Sequence, residues 1–273
     1  MPTIVDKPVA VSLLRNQFLA ISALCSTLSD DQWDVPTCLP GWTVRDVLSH
    51  VIGTESMLLG EPVPSVDVSH LRHMQNPIAE ANEVWVESMR AIGGRQMLER
   101  FDDVTGRRLA ALDAMSQAEF DAPSWTPAGR DETYGRFMRI RHYDCFMHEH
   151  DIRFAVSAPP RAEVGDLRVA LDEVSTGLGY IVGRKAGMAD GSRVRIDVTG
   201  ALPATLLVEV DGRAVVVEAF DEPPTVSIEL PVMLFLRLTG GRHDGRAGPG
   251  GEVIIAGDRP SGQKLVDNLA FTI

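Results

Sequence analysis

Length, composition and charge set the first limits on this chain of 273 residues. Hydrophobic residues make up 44% and charged residues 23%, which is the balance of a globular protein that buries a core of normal size. The formal net charge of -12 disfavours binding to nucleic acid or to an anionic membrane, because both depend on lysine and arginine to neutralise phosphates.

The cysteines and the N-terminal residues bear on the cellular compartment. Cys25, Cys38 and Cys145 form a sparse, odd-numbered set without a CxxC pair, which is typical of a reducing compartment. The N-terminal residues lack a basic segment followed by an uninterrupted apolar stretch, and no window approaches the roughly 18 consecutive apolar residues of a membrane span. These features predict a cytoplasmic protein.

Two amphipathic helices are predicted near the N-terminus. Apolar residues recur at helical spacing over residues 8–29, and a loop punctuated by proline and glycine follows over residues 30–42. Thr43 then has the position of an N-cap, and Asp46, three residues later, completes a capping box. The helix that these residues begin carries His50 in its second turn.

Two further helical segments complete the first half of the chain. Residues 78–115 have the pattern of one long helix or two, with Gly93-Gly94 as the expected interruption. A predicted loop over residues 121–132 precedes the last long helix, which runs from Tyr134 to Val156. Four main helices with such connections predict an up-and-down four-helix bundle over residues 1–160.

The hydrophobic period changes at about Gly191, after a predicted connecting helix within residues 161–190. Asp211-Gly212 between two β-branched segments is a strong hairpin signal. Residues 191–273 therefore predict a small α+β domain with an antiparallel sheet, so that the whole chain is a two-domain α+β protein. Its predicted strands are Arg193–Thr199, Thr205–Val210, Ala214–Phe220 and Thr225–Glu229, and its predicted helices are 232–238 and 262–269, with an apolar run over residues 252–255 before the last helix.

A carboxylate and an imidazole lie one helical turn apart in the last helix of the first half. Asp144 and His148 are four residues apart, so their side chains share one face and can chelate a single ion. His50 can supply a third ligand if its helix lies against theirs. Three protein ligands leave coordination positions open, as in catalytic sites. The competing interpretation is an ordinary intrahelical hydrogen bond between Asp144 and His148, with His50 a core histidine.

The surroundings of these residues carry a family resemblance. His50 lies in LPGWTVRDVLSHVIGTE and His148 in RHYDCFMHEHDIRFAV, and these strings resemble the thiol-dependent DinB-like metalloenzymes, specifically the mycothiol-dependent maleylpyruvate isomerase family. The residues that match the family pattern are Pro40, Gly41, Trp42, Thr43, Val44 and His50, then Asp144, His148, Asp151, Ile152 and Arg153. One departure is Asp144, where the isomerase that defines the family has Glu.

The resemblance extends to the second half and implies further site residues. Residues 240–273 are similar to the sterol-carrier-protein-like domain at the C-terminus of such proteins, and Arg242 has the place of an arginine that reaches toward the active site. Asp151 and Arg153 are candidates for holding the cofactor site, either by orienting His148 or as an ion pair at the helix end. Trp42 is expected to be structural.

The resemblance implies a metal-dependent enzyme that activates mycothiol for attack on a small electrophile, by S-transfer or cis–trans isomerisation. Zinc is the leading ion, and nickel and iron(II) tolerate the same ligands. The expected partners are the thiol and the electrophile, without nucleic acid or membrane, and an oligomer stays open. Two alternatives remain: a metal-dependent hydrolase that uses an activated water, and a non-catalytic binding protein for a small apolar ligand.

Overall fold

The computed structural model of the chain describes residues 2–74, 76–242 and 253–272. The chain folds into two compact units, Met1–Arg161 and Ala162–Thr272. The first unit is mainly helical and the second combines helices with a five-stranded sheet, so the predicted α+β class is confirmed.

The first unit is built on four long helices, which confirms the predicted bundle. Helices α1 and α6 lie against each other, α4 packs on α1 and α2, and α2 also packs on α6. The shorter α3 lies against α2. The elements of this unit are α1 (Lys7–Cys25), a 3-10 helix (Asp30–Asp34), α2 (Val44–Leu58), α3 (Pro77–Met89), α4 (Gly94–Ala114), α5 (Gln117–Phe120), β1 (Pro123–Thr126), β2 (Gly129–Thr133) and α6 (Tyr134–Ala155).

Local signals in the sequence explain where the key helices begin. The predicted capping box at the start of α2 is present, since the Asp46 carboxylate accepts hydrogen bonds from the Thr43 backbone N–H at 2.9 Å and from its hydroxyl at 3.0 Å. The predicted interruption at Gly93-Gly94 separates α3 from α4. A Cβ atom on Gly94 would lie 2.3 Å from the indole nitrogen of Trp33, so the close approach of this buried ring requires glycine there.

Helix α1 is long and apolar enough, by length and composition alone, to cross a membrane. In the bundle, one face of this helix is buried against the rest of the first unit, mostly through apolar side chains. A core helix of this kind passes the same composition test as a membrane span. The buried residues of α1 are Ala10, Val11, Leu14, Gln17, Phe18, Ile21, Leu24 and Cys25.

The segment before α6 differs from its prediction as a loop. Strands β1 and β2 form an antiparallel hairpin in which Pro123 is opposite Thr133 and Thr126 is opposite Gly129. The hydroxyl of Thr126 donates to the Gly129 carbonyl at 3.0 Å and closes the turn. The alternation that would signal strands is too short here to be distinguished from a proline-containing loop.

The second unit combines helices with a five-stranded sheet, in which the strands lie in the order β5-β4-β3-β6-β7. Three of the four described strand pairings are antiparallel, and β3 pairs with β6 in parallel. The chain reverses direction from β3 to β4 and again from β4 to β5, so β5 runs in the same direction as β3. Strand β6 then pairs with the edge of β3 that β4 does not occupy. The elements are α7 (Val164–Tyr180) with a π-helical turn (Ile181–Lys185), β3 (Arg193–Thr199), β4 (Ala204–Asp211), β5 (Arg213–Val217), β6 (Val226–Pro231), α8 (Val232–Thr239), β7 (Ile254–Gly257) and α9 (Arg259–Asp267).

The sheet shows the predicted alternation of buried and exposed side chains. Val194, Ile196 and Val198 of the central strand are buried, while the residues between them are more exposed. The predicted hairpin at Asp211-Gly212 joins β4 to β5, and Gly212 has a φ of 64°. Glu252, the first residue of the apolar run noted over residues 252–255, lies outside the described residues.

Candidate metal site

The structure brings the three predicted ligands together. Asp144 and His148 are one turn apart on α6, and His50 faces them from α2. The Nε2 atom of His50 is 3.4 Å from Asp144 Oδ2, and the Nε2 atom of His148 is 3.5 Å from Asp144 Oδ1. One donor atom from each residue lies within 4.8 Å of the others.

These separations fit a divalent ion. Two ligand atoms at zinc-binding distances of about 2.0–2.2 Å lie about 3.4 Å apart around a tetrahedral centre. The two histidines are about 95% buried, while the Asp144 side chain is 33% exposed. Two imidazoles and one carboxylate suit zinc, nickel or iron(II), and the partial exposure of Asp144 leaves a side from which further ligands can approach.

The electrostatics of the site keep the carboxylate ionised. Burial by itself would raise the pKa of Asp144, but His148 and Arg141 outweigh it and hold that pKa well below its usual range. Burial by itself would lower the pKa of His148, but the neighbouring carboxylates of Asp144 and Asp151 outweigh the effect of burial and raise that pKa. For His50 burial prevails and the pKa is lowered. A carboxylate in this environment is a ready metal ligand.

Asp151 fixes the orientation of His148. Its Oδ2 atom lies 3.1 Å from His148 Nδ1, so the ring nitrogen opposite Nε2 is occupied and Nε2 is directed toward Asp144. Asp151 is 1% exposed, and its other oxygen accepts a hydrogen bond from the Cys38 thiol at 3.3 Å. Of the two roles considered for Asp151, the geometry corresponds to orienting His148.

A buried charge network holds Asp144 from the other side. Arg141, one turn before Asp144 on α6, donates to Asp144 Oδ2 at 2.5 Å and to Glu55 at 2.9 Å. Glu55 is fully buried and also accepts from Arg108 at 3.1 Å. The network therefore connects the carboxylate of the site to α2 and α4, and fixes one of its two oxygens.

Trp42 covers the two histidine rings. Its ring centroid is 5.3 Å from that of His50 and 6.2 Å from that of His148. The indole N–H donates to the buried Glu83 carboxylate at 2.8 Å, which also accepts from Arg90 at 2.6 Å. Trp42 was expected to be structural. Its ring lies beside both histidine rings and forms one wall of the site, in addition to holding the loop over residues 30–42.

The two remaining predicted residues, Arg153 and Arg242, each have contacts within their own unit. Arg153 forms an ion pair with Glu149 at 2.7 Å and donates to the Pro159 carbonyl, which corresponds to the helix-end pair considered for it. Arg242 belongs to the second unit, where its guanidinium donates to the Gly240 carbonyl. The role of Arg242 at the metal site stays a prediction.

Comparison with known proteins identifies the family. A family model described as the mycothiol maleylpyruvate isomerase N-terminal domain matches residues 14–153, which is just over half of the chain and includes all three candidate ligands. The chain belongs to this family. A search of curated protein sequences finds no significant match.

Solved structures extend the likeness in fold to most of the chain. The crystal structure of a mycothiol-dependent maleylpyruvate isomerase matches with a TM-score of 0.61 at 17% identity, covering 94% of this chain and 96% of that one. A histidine-to-alanine variant of a mycothiol-dependent maleylpyruvate isomerase matches with a TM-score of 0.58 at 16% identity and the same coverage. Both units therefore share the fold of that isomerase.

Sequence patterns indicated Asp151 but missed the two charged residues that hold Asp144, namely Arg141 and Glu55. Arg141 precedes Asp144 by three residues, a spacing that places both on one helical face and could have been noticed. Glu55 follows His50 by five residues and carries no comparable signal, because its partners Arg108 and Arg141 come from other helices.

Loss of the Asp151 carboxylate should weaken metal binding. We expect Asp151→Asn to reduce the affinity for zinc by about 10- to 100-fold, because the amide holds the His148 ring less firmly and makes it a poorer ligand. Competition with a chromogenic chelator measures this affinity. Asp113→Asn, at an exposed surface ion pair with Arg15, is the matched control and should bind zinc as the unaltered protein does.

The cysteines should differ in reactivity toward alkylating reagents. Burial raises the pKa of Cys25 to about 12, and Cys145 is fully buried, whereas Cys38 is only half-buried. At pH 8 we expect iodoacetamide to modify Cys38 in the folded protein and all three cysteines in urea. Peptide mapping checks this, and labelling of Cys25 at the rate of Cys38 in the folded protein would contradict the described burial.

Proposed function

We propose that this protein is a metal-dependent enzyme that activates a low-molecular-weight thiol, mycothiol, for attack on a small electrophile. The observation that carries the proposal is the convergence of His50, Asp144 and His148 at separations that suit one divalent ion, zinc being preferred. The family of the chain supports the choice of thiol.

The residues of the chain would hold the ion and fix its ligands. A divalent ion at this position supplies charge that stabilises the deprotonated sulfur of a thiol, which is the nucleophilic form. Asp151 keeps Nε2 of His148 directed at the site, and Arg141 holds one oxygen of Asp144. Trp42 excludes water from one side of the two rings.

Two outcomes follow from the same attack. Both outcomes are possible when the electrophile carries a cis carbon–carbon double bond. If the thiol leaves again after rotation about that former double bond, the product is the trans isomer. If the thiol stays attached, the product is a thioether. Asp144 is one methylene shorter than the Glu of the isomerase that defines the family, and its position is set by Arg141. We therefore propose for this chain the attack of the thiol that is common to both outcomes, and product analysis distinguishes the trans isomer from the thioether.

The remaining parts of the proposal concern the rest of the chain. Arg242 is proposed to pair with a carboxylate of the substrate. Arg153 is proposed to support the thiol-binding end of α6 through Glu149. A cytoplasmic location without nucleic-acid or membrane partners rests on the net charge of -12 and on the sparse cysteines, and cell fractionation checks it.

Elemental analysis combined with thiol calorimetry tests the proposal. Purified protein should contain about one metal ion per chain and should bind mycothiol in preference to a control thiol such as glutathione. Binding of mycothiol should be lost when a chelator removes the ion, while far-ultraviolet circular dichroism stays unchanged. If the protein binds a metal ion but no mycothiol, and if it hydrolyses esters without a thiol, the hydrolase alternative replaces this proposal.

A further inference from the structure

The Glu83 carboxylate of α3 is a buried acceptor that three segments of the first unit share. Glu83 is 1% exposed. Its Oε2 atom accepts from the indole N–H of Trp42 at 2.8 Å and lies 3.0 Å from His73 Nε2, and its Oε1 atom accepts from Arg90 at 2.6 Å. Burial by itself would raise the pKa of Glu83, but the hydrogen bonds from His73, Trp42 and Arg90 outweigh the effect of burial and lower that pKa. Glu83 is therefore a buried carboxylate whose charge is matched by donors.

His73 connects a second loop to the same carboxylate. It belongs to the segment between α2 and α3, whereas Trp42 lies just before the N-cap of α2. An ionised carboxylate can only accept, so His73 donates from Nε2. The His73 ring also packs on Gly41, which has a φ of 80°, because a Cβ atom on Gly41 would lie 3.0 Å from His73 Nδ1. Glu83 thus holds Trp42 directly, and holds the residue before it through His73.

Trp42 is the member of this cluster that lies at the candidate metal site. Its ring is tilted by 35° to the His50 ring and by 40° to the His148 ring. The indole therefore lies beside both ligand rings, while the Asp144 side chain is 33% exposed. An indole free to swing away from the two imidazoles would admit water beside them.

We propose that Glu83 is a positioning residue that holds the Trp42 ring as a fixed wall beside the two ligand histidines. The wall leaves the exposed side of Asp144 as the approach to the ion and keeps additional water away, which favours binding of the thiol. Among the described residues, Glu83 forms no hydrogen bond or ion pair with the three candidate ligands, so its effect passes through Trp42. The inference rests on the proposed function.

The position of Trp42 is measured first without any thiol, by NMR of protein that contains isotope-labelled tryptophan. Trp42→Phe identifies the indole signal of Trp42. We expect this N–H to exchange with water about tenfold faster in Glu83→Gln, because one amide oxygen cannot accept from both Trp42 and Arg90. Glu87→Gln is the matched control: Glu87 lies on the same helix and pairs with Arg90 at 2.8 Å, and its variant should leave the exchange unchanged.

Metal and thiol binding then separate positioning from ligation. Glu83→Gln should keep about one zinc ion per chain, because the three candidate ligands are unaltered. Calorimetry should show that the zinc-loaded variant binds mycothiol about tenfold more weakly. Cobalt(II) in place of zinc reports the coordination, since additional water raises the coordination number and weakens the visible absorption. That absorption should weaken in Glu83→Gln and stay unchanged in Glu87→Gln.

Trp42→Phe keeps the test decisive if Glu83→Gln does not fold. It removes the indole N–H and leaves the contacts of Glu83 with His73 and Arg90 in place. We expect Trp42→Phe to weaken both mycothiol binding and the cobalt absorption. The double variant should lose no more than the larger of the two single losses, because both changes remove the same interaction.

The outcomes distinguish the role of Glu83 from the thiol chemistry. Unchanged indole exchange in Glu83→Gln overturns the inference, and so do additive losses in the double variant. Loss of zinc from a folded Glu83→Gln also overturns it, because Glu83 would then support the ligands rather than the wall. If the unaltered protein binds zinc but no mycothiol, the proposed function fails, and the indole exchange with the cobalt absorption still decides the role of Glu83. Circular dichroism of each variant establishes that it is folded.

Discussion

Alanine in place of His50 or His148 is expected to reduce the bound metal from about one ion per chain to nearly none, because two remaining ligands hold a divalent ion weakly. Both residues lie in the bundle interior with their Nε2 atoms 3.4 and 3.5 Å from the Asp144 carboxylate. Metal content is measured by inductively coupled plasma mass spectrometry after dialysis against a weak chelator.

The control for this experiment is another histidine of the same unit. His70 is exposed and lies in the segment between α2 and α3, so His70→Ala should keep the full metal content. Full retention of metal in both His50→Ala and His148→Ala would refute the ligand assignment. Loss of metal in His70→Ala would show instead that the measurement responds to general destabilisation.

Replacement of Glu55 by glutamine is expected to lower the free energy of unfolding by about 3–5 kcal/mol, because it removes the carboxylate that the buried Arg108 contacts and one of the two carboxylates that Arg141 contacts. Arg108 and Arg141 are 2% and 3% exposed, and both donate to the fully buried Glu55 carboxylate. Urea denaturation followed by circular dichroism measures the change. Asp113→Asn removes an exposed ion pair with Arg15 and should cost less than about 1 kcal/mol.

The same Glu55→Gln variant has a second readout at the metal site. Arg141 contacts both Glu55 and Asp144, so the loss of Glu55 should draw its guanidinium further toward Asp144 and weaken metal binding. A variant that is as stable as the unaltered protein would show that the network is not needed for the fold. A destabilised variant with unchanged zinc affinity would show that the network does not act on the ligand.

The sequence by itself determined the features that depend on neighbours along the chain. The capping box of Thr43 and Asp46 starts α2, and the spacing of Asp144 and His148 places both on one face of α6. The alternation in β3 and the Asp211-Gly212 turn likewise gave the position of the sheet. These patterns are local, since a helix or hairpin constrains residues that are close in sequence.

Only the tertiary structure decided which distant residues meet. The approach of His50 to α6 and the contact of Glu55 with Arg108 and Arg141 join residues from different helices. The parallel pairing of β3 with β6 is of the same kind, because strand direction depends on how the connections cross. Burial of apolar surface between elements brings such groups together, and it depends on total shape rather than on any local pattern.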